Sequence, residues 1–176
     1  MIGGYGFGTP AGPLQSVERA AIDDSTGSLG TFATLTNTTM FARYQFASAV
    51  LGSNLYAISG SNQMDVERTT IDATDVGPFT RSGFIAASQR HGHTSALLGS
   101  SIYIIAGTEA SVLGTVESAT ASPDGLFGSF TVVPGVTLAT PRTQHTTVVL
   151  GNFLYVIGGQ NETGSTLGSV EAATLQ

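Results

Sequence analysis

Apolar residues in this chain come in short blocks separated by polar turns. Runs of small, β-branched and aliphatic residues at 46–51, 93–98 and 145–150 are each followed, after two or three residues, by a second run at 55–58, 102–105 and 154–157. No useful length shows the i, i+3, i+4, i+7 spacing of an amphipathic helix, so the regular elements are predicted to be strands. The intervening Gly52-Ser53-Asn54, Gly99-Ser100-Ser101 and Gly151-Asn152 supply the backbone freedom of a tight hairpin. The paired runs therefore predict two adjacent strands, a and b, apolar enough to be buried on both faces.

The pattern then repeats. Strand b ends on an apolar-Gly motif at Ile2-Gly3-Gly4, Ile58-Ser59-Gly60, Ile105-Ala106-Gly107 and Ile157-Gly158-Gly159. A predicted strand c carries Val-Glu, and Glu18, Glu67, Glu117 and Glu171 lie 49, 50 and 54 residues apart. A fourth strand, d, starts at Gly-x-Phe: Gly30-Thr31-Phe32, Gly77-Pro78-Phe79 and Gly128-Ser129-Phe130. Each full unit opens with an arginine three residues before an aromatic or histidine, at Arg43/Phe46, Arg90/His93 and Arg142/His145. Four markers in fixed order at a period near fifty define an all-β repeat array of four-stranded units.

Composition narrows what such an array does. Only 10% of residues are charged, the net charge is −6, and the six arginines are scattered with no lysine among them. Nucleic acid needs a clustered basic surface and an anionic membrane a polybasic patch. Neither is present, and no apolar run approaches the ~18 residues of a membrane helix. The opening Met-Ile-Gly-Gly has no basic start or apolar run of a signal peptide. Cysteine is absent, which removes disulfides and thiolate chemistry.

Arg-x-x-His, then Leu-Tyr-Val-Ile-Gly-Gly, then Ser-Val-Glu-Ala, resembles the kelch repeat, one blade of a β-propeller. Gly27-Ser28-Leu29-Gly30-Thr31-Phe32 and the stretch 124–130 resemble the variant found in bacterial and phage surface proteins. The resemblance covers almost the whole chain. It departs from the family where strand d usually holds a tryptophan, here Phe32, Phe79 and Phe130, and where the double glycine is reduced to Ser-Gly and Ala-Gly in the middle units. It implies about three and a half blades in one region: a partial blade at 1–42, blades at 43–89 and 90–141, and a partial blade at 142–176. The first unit begins within strand b and the last stops after strand c. This predicts a partial propeller, or one completed by another copy, because an uncovered strand edge invites pairing.

Candidate chemistry is weighed against that framework. Arg43, Arg90 and Arg142 with Glu18, Glu67, Glu117 and Glu171 recur once per blade, as structural ion pairs do and a catalytic pair does not; they are expected to join neighbouring blades or strands of one blade. His93 and His145 are equivalent, with Phe46 in the third place, so hydrogen-bonded histidines capping strand a are expected in preference to a three-histidine metal site. Acidic turns at 22–27, 71–77 and 122–125 are read as turn chemistry. The loops after strand b differ most between units, and Asn62, Gln63, Asp65, Glu109, Gln160, Asn161 and Glu162 are the candidate binding residues.

No nucleophile elbow, phosphate loop, copper-site cysteine or arginine triad is present. The expected function is a non-catalytic protein- or glycan-binding or scaffold module, without metal or cofactor, working outside the cell on a bacterial surface or phage particle. The alternatives are a self-assembling ring or fibre component, and part of a glycan-active enzyme whose catalytic residues lie elsewhere.

Overall fold

The structure is a computed structural model and describes residues 1–61, 63–72, 75–84 and 89–175. In the first blade Ile2 bridges Val17, a small hairpin joins β1 (Tyr5–Gly6) to β2 (Gly12–Pro13), and β3 (Glu18–Arg19) pairs with β4 (Ala33–Thr34). The second blade is a sheet of four strands in chain order, β5 (Ala47–Leu51), β6 (Asn54–Ile58), β7 (Asp65–Thr70) and β8 (Thr80–Phe84). The third repeats it with β9 (Thr94–Leu98), β10 (Ser101–Thr108), β11 (Val112–Thr120) and β12 (Thr131–Thr137). The fourth has β13 (Thr146–Leu150), β14 (Phe153–Ile157) and β15 (Val170–Thr174). Neighbouring strands are antiparallel, and β9 lies between β5 and β13, so the a strands line one edge of the stack.

The core lies between blades. Because side chains alternate along a strand, one strand b serves two interfaces. Leu55 and Ala57 pack toward Val17 of the first blade, while Tyr56 and Ile58 pack with Ile102 and Ile104 of the third. Leu154 and Val156 of the fourth blade meet Ile105 and Val116 of the third. The phenylalanine before strand d of the second and third blades is wedged in as well: Phe79 closes the first interface and Phe130 the second, the latter with Phe127 and Tyr56 in edge contact at 4.9 Å.

Burial on both faces holds for β6 and β10 but not for every apolar run. In the fourth blade Val148, Leu150, Phe153 and Ile157 are exposed, because only one face of that blade has a neighbour among the described residues. Phe32 is exposed in the first blade for the same reason. The β1–β2 hairpin has no counterpart among the predicted strands, since its strands are two residues long and lack alternation.

The paired positions ending each strand b explain the unequal wear of the double glycine. The first of the pair, Gly3, Ser59, Ala106 or Gly158, has φ of +52°, +54°, +54° or +65°. That is the left-handed region, which L residues enter at modest cost. The second, Gly4, Gly60, Gly107 or Gly159, has φ of +114°, +109°, +98° or +92°, where only glycine is at ease. A Cβ on Gly107 would also stand 2.8 Å from the His93 Cβ. Gly107→Ala is therefore expected to destabilise the fold by roughly 2–3 kcal/mol, whereas Ala106→Gly, which relieves a left-handed alanine while loosening the unfolded chain, is expected to change stability by about 1 kcal/mol or less. Denaturant unfolding of the two variants checks this, and equal losses would refute the assignment.

Candidate functional site

At one end of each blade strand a begins, strand b ends and strand c begins: Ala47 faces Ile58 and Ile58 faces Val66, with Thr94, Ile105 and Val116, then Thr146, Ile157 and Val170, repeating the register. The variable loops, the arginines and the histidines therefore share this end.

The arginines are framework here. Arg43 is fully buried; it donates through Nη1 to the Ser59 carbonyl at 2.9 Å and through Nη2 to Glu67 and to Asp65 at 3.3 Å. Arg90 repeats this with the Ala106 carbonyl at 3.1 Å and Glu117, and Arg142 with the Gly158 carbonyl at 2.9 Å and Glu171. The pairs lie within a blade, so of the two arrangements open from sequence this is the one present. The carboxylate has a second task. Glu67 accepts the N–H groups of Met40 and Phe41, and Glu171 those of Ala139 and Thr140, tying down the segment that leads in from the preceding blade. Burial works against the charge on Glu171, yet those N–H groups and Arg142 hold its pKa below the usual value. The corresponding segment before Arg90 falls partly outside the described residues. Glu18 lies in the first blade, where its carbonyl receives the Met1 ammonium at 2.6 Å.

The histidines bridge blades. His93 Nε2 lies 3.2 Å from the Ile58 carbonyl, which only accepts, so Nε2 carries the proton. His145 Nε2 lies 2.9 Å from the Thr94 hydroxyl. Burial, with Arg90 nearby, lowers the His93 pKa to about 3; burial, with Arg142, lowers His145 to about 4. Phe46 fills the same place against the first blade without a hydrogen bond, packing beside Gly3. Among the described residues no group of three or more His, Cys, Asp or Glu is placed to hold a metal ion.

The loop candidates separate into several environments. Asn62 lies outside the described residues. Asp65 is the first residue of β7, is buried and pairs with Arg43 and Arg81, so it is corrected from loop surface to framework. Its adjacency to Val66-Glu67 in strand c was the available signal. Gln63 is half-buried; it bonds Gly60 through its backbone N–H and takes the Ser59 hydroxyl on its carbonyl. Glu109 is exposed, in a turn closed by its N–H to the Ser111 carbonyl. Gln160 bridges Thr143 and Thr166 through its backbone. Asn161 Oδ1 accepts from Thr163 and Ser165, and the exposed Glu162 accepts the N–H of Val112, linking the fourth blade to the third.

At the opposite end the side chains of the acidic turns bond within their own turns, and the 122–125 turn also takes the Tyr56 hydroxyl on the Gly125 carbonyl at 2.7 Å. Asp23 accepts from Ser25 and Thr26, which lowers its pKa to about 2, and Ser122 donates to Asp124.

Sequence reasoning missed an aromatic cluster at the loop-bearing end. Tyr5 of the β1–β2 hairpin meets Tyr44, two residues before Phe46, with ring centroids 5.2 Å apart, and meets Phe7 at 5.3 Å. Phe7 is 91% exposed. Gln45, next to Tyr44, is exposed too, its left-handed backbone (φ +54°) turning its carbonyl to accept the N–H of Gly92 in the next blade. The rings come from segments outside the repeat markers, so periodicity pointed away from them.

The stacked four-stranded sheets define a β-propeller architecture. A family model described as Kelch motif matches residues 141–172, and among solved structures the chain in "Structure of YjhT" aligns with a TM-score of 0.60 at 20% identity, over 71% of this chain and 36% of that one. No curated protein matches. The kelch motif is thus matched at residues 141–172 and the propeller fold over most of the chain, which spans little more than a third of that neighbour's length. At such identity the likeness speaks for the fold alone.

Two consequences are measurable. Glu117→Ala leaves the Arg90 guanidinium buried beside no carboxylate, and a loss of about 3–5 kcal/mol in unfolding free energy is expected. The histidines, neutral when folded but with a pKa near 6.5 when unfolded, make the unfolded chain bind more protons below that pH. Stability is then full above about pH 6.5 and declines as pH falls toward the folded values of about 3 and 4. Denaturation midpoints between pH 7 and 5 should fall for the parent and fall less for His93→Phe, the residue the second blade already uses.

Proposed function

We propose that the chain is a non-catalytic binding module that takes a glycan at the loop-bearing end, against Tyr5, Phe7 and Tyr44. The observation that carries this is the exposure of Tyr5 and Phe7, with Tyr5 against the half-buried Tyr44 and beside the exposed Gln45, at an end where the repeated arginines are consumed internally. A sugar ring offers apolar C–H faces for aromatic stacking and hydroxyls for amide hydrogen bonds. Gln45, exposed beside Tyr44, supplies such an amide. Placement outside the cell, on a bacterial surface or phage particle, is part of the proposal and rests on sparse charge, absence of lysine and the resemblance to surface-protein repeats.

A second reading, assembly into rings or fibres, is favoured by apolar side chains exposed on both end blades: Leu29 and Phe32 on the first, Val148 and Ile157 on the fourth. Interior blade faces bury such residues against a neighbour, and copies joined head to tail would do the same. Light scattering over a concentration series separates a monomer from such an assembly.

The binding reading is tested on immobilised oligosaccharides. Tyr5→Ala and Phe7→Ala are each expected to weaken binding about tenfold, with Phe7→Ala leaving the melting temperature unchanged because its ring is in solvent. Retention by both variants, or the absence of any glycan bound by the parent, removes the assignment.

A further inference from the structure

A cleft of about 650 Å³ lies between the third and fourth blades. Its walls reproduce an interface the molecule builds completely elsewhere. Between the second and third blades, Tyr56, Ile58 and Val66 face Ile102, Ile104 and Ala119, with Ala121 against them. Between the third and fourth, Tyr103, Ile105 and Val116 occupy the first three places, and Leu154, Val156, Ala173 and Leu175 the others. The registers match position for position. The difference is in the middle: the complete interface also holds Phe127 and Phe130 from strand d of the third blade, and the interface before it holds Val76 and Phe79 from strand d of the second. Nothing among the described residues fills the corresponding place in the cleft, and β15, which supplies one wall, pairs with β14 alone.

We propose that this cleft is a docking site for an extended polypeptide strand bearing an apolar residue, glycine, any residue and phenylalanine in succession. The occupant is defined by the two filled interfaces, where Val76-Gly77-Pro78-Phe79 and Phe127-Gly128-Ser129-Phe130 carry that motif. The apolar residue and the phenylalanine enter the cleft, and the strand adds to the free edge of β15 by backbone hydrogen bonds, as in β-augmentation. The register follows too. Thr80, just after Phe79, faces Arg68, and Thr131, just after Phe130, faces Ser118, each being the residue after the strand-c glutamate. The residue after the docked phenylalanine therefore faces Ala172. This site is independent of the aromatic cluster at the loop-bearing end, and either proposal can fail alone.

The test is a fluorescently labelled synthetic peptide of the chain's own residues 122–137, titrated into the intact chain with anisotropy as readout. Saturable binding is expected, weakened at least tenfold when Phe127 and Phe130 of the peptide are both alanine. Ala173→Trp, which plugs the cleft from β15, is expected to abolish binding while leaving the unfolding transition in place. If copies already fill one another's clefts, light scattering shows a multimer that the peptide dissociates. A monomer that ignores the peptide, a multimer indifferent to it, or binding that survives both the alanine peptide and Ala173→Trp overturns the proposal.

Discussion

The structure depends on a guanidinium that has no route to water. Arg43, Arg90 and Arg142 are among the most deeply buried side chains of the chain. A buried charge is tolerable when it is paired and hydrogen-bonded. Each guanidinium pairs through its terminal nitrogens with a strand-b carbonyl and a strand-c carboxylate of its own blade, and so fixes three strands together, while Nε of Arg43 and of Arg90 has no partner among the described residues. The planar fork of arginine reaches both acceptors at once, whereas an ammonium is a point charge without that geometry. A chain without lysine loses nothing at these places.

The unusual backbone at the end of strand b is what lets that charge serve two blades. The left-handed first residue turns its carbonyl inward to its own arginine: Ser59, Ala106 and Gly158 are the acceptors. The glycine after it turns its N–H outward to the backbone carbonyl of the next arginine, Gly60 to Arg90 at 3.3 Å and Gly107 to Arg142 at 2.9 Å. Two successive residues therefore connect pairing inside a blade to pairing between blades. A second line of bonds runs closer to the a strands, Gly92 N–H to Gln45 and Gln144 N–H to Gly92. Arginine, double glycine and the residue before the histidine position are one device, which is why they recur together.

That recurrence made the fold legible. Marker spacing gave four-stranded blades because each marker answers a local physical demand that every blade must meet: a positive φ, a buried charge, an aromatic wedge. Burial was harder to read, because it depends on what stands beyond the strand. Ile58 and Ile157 end the same apolar run, yet Ile58 is buried and Ile157 exposed, one facing another blade and the other none. The candidate site was less legible still. Asp65 is polar and follows a loop, which suggests a surface residue, but in the fold its carboxylate neutralises Arg43. Tyr5, Phe7 and Tyr44 gather from segments whose sequence separation hides their contact.

A repeat protein divides its residues between those that make one blade like another and those that do not, and recognition must rest on the second group. An array of identical blades would offer a partner the same surface at each step, with nothing to choose a register. Here the symmetry is broken at specific places: His93 and His145 against Phe46, and Gly92 between Gln45 and Gln144, where a Cβ would meet the Thr143 hydroxyl at 2.3 Å. The first blade extends the segment after its strand b into a hairpin that carries Tyr5. The histidine and glycine departures are buried and tune packing. The hairpin is exposed, and it leans on Tyr44 of the following blade. Of these three departures it is the exposed one, and under the proposed binding reading it is what gives the loop-bearing end a direction.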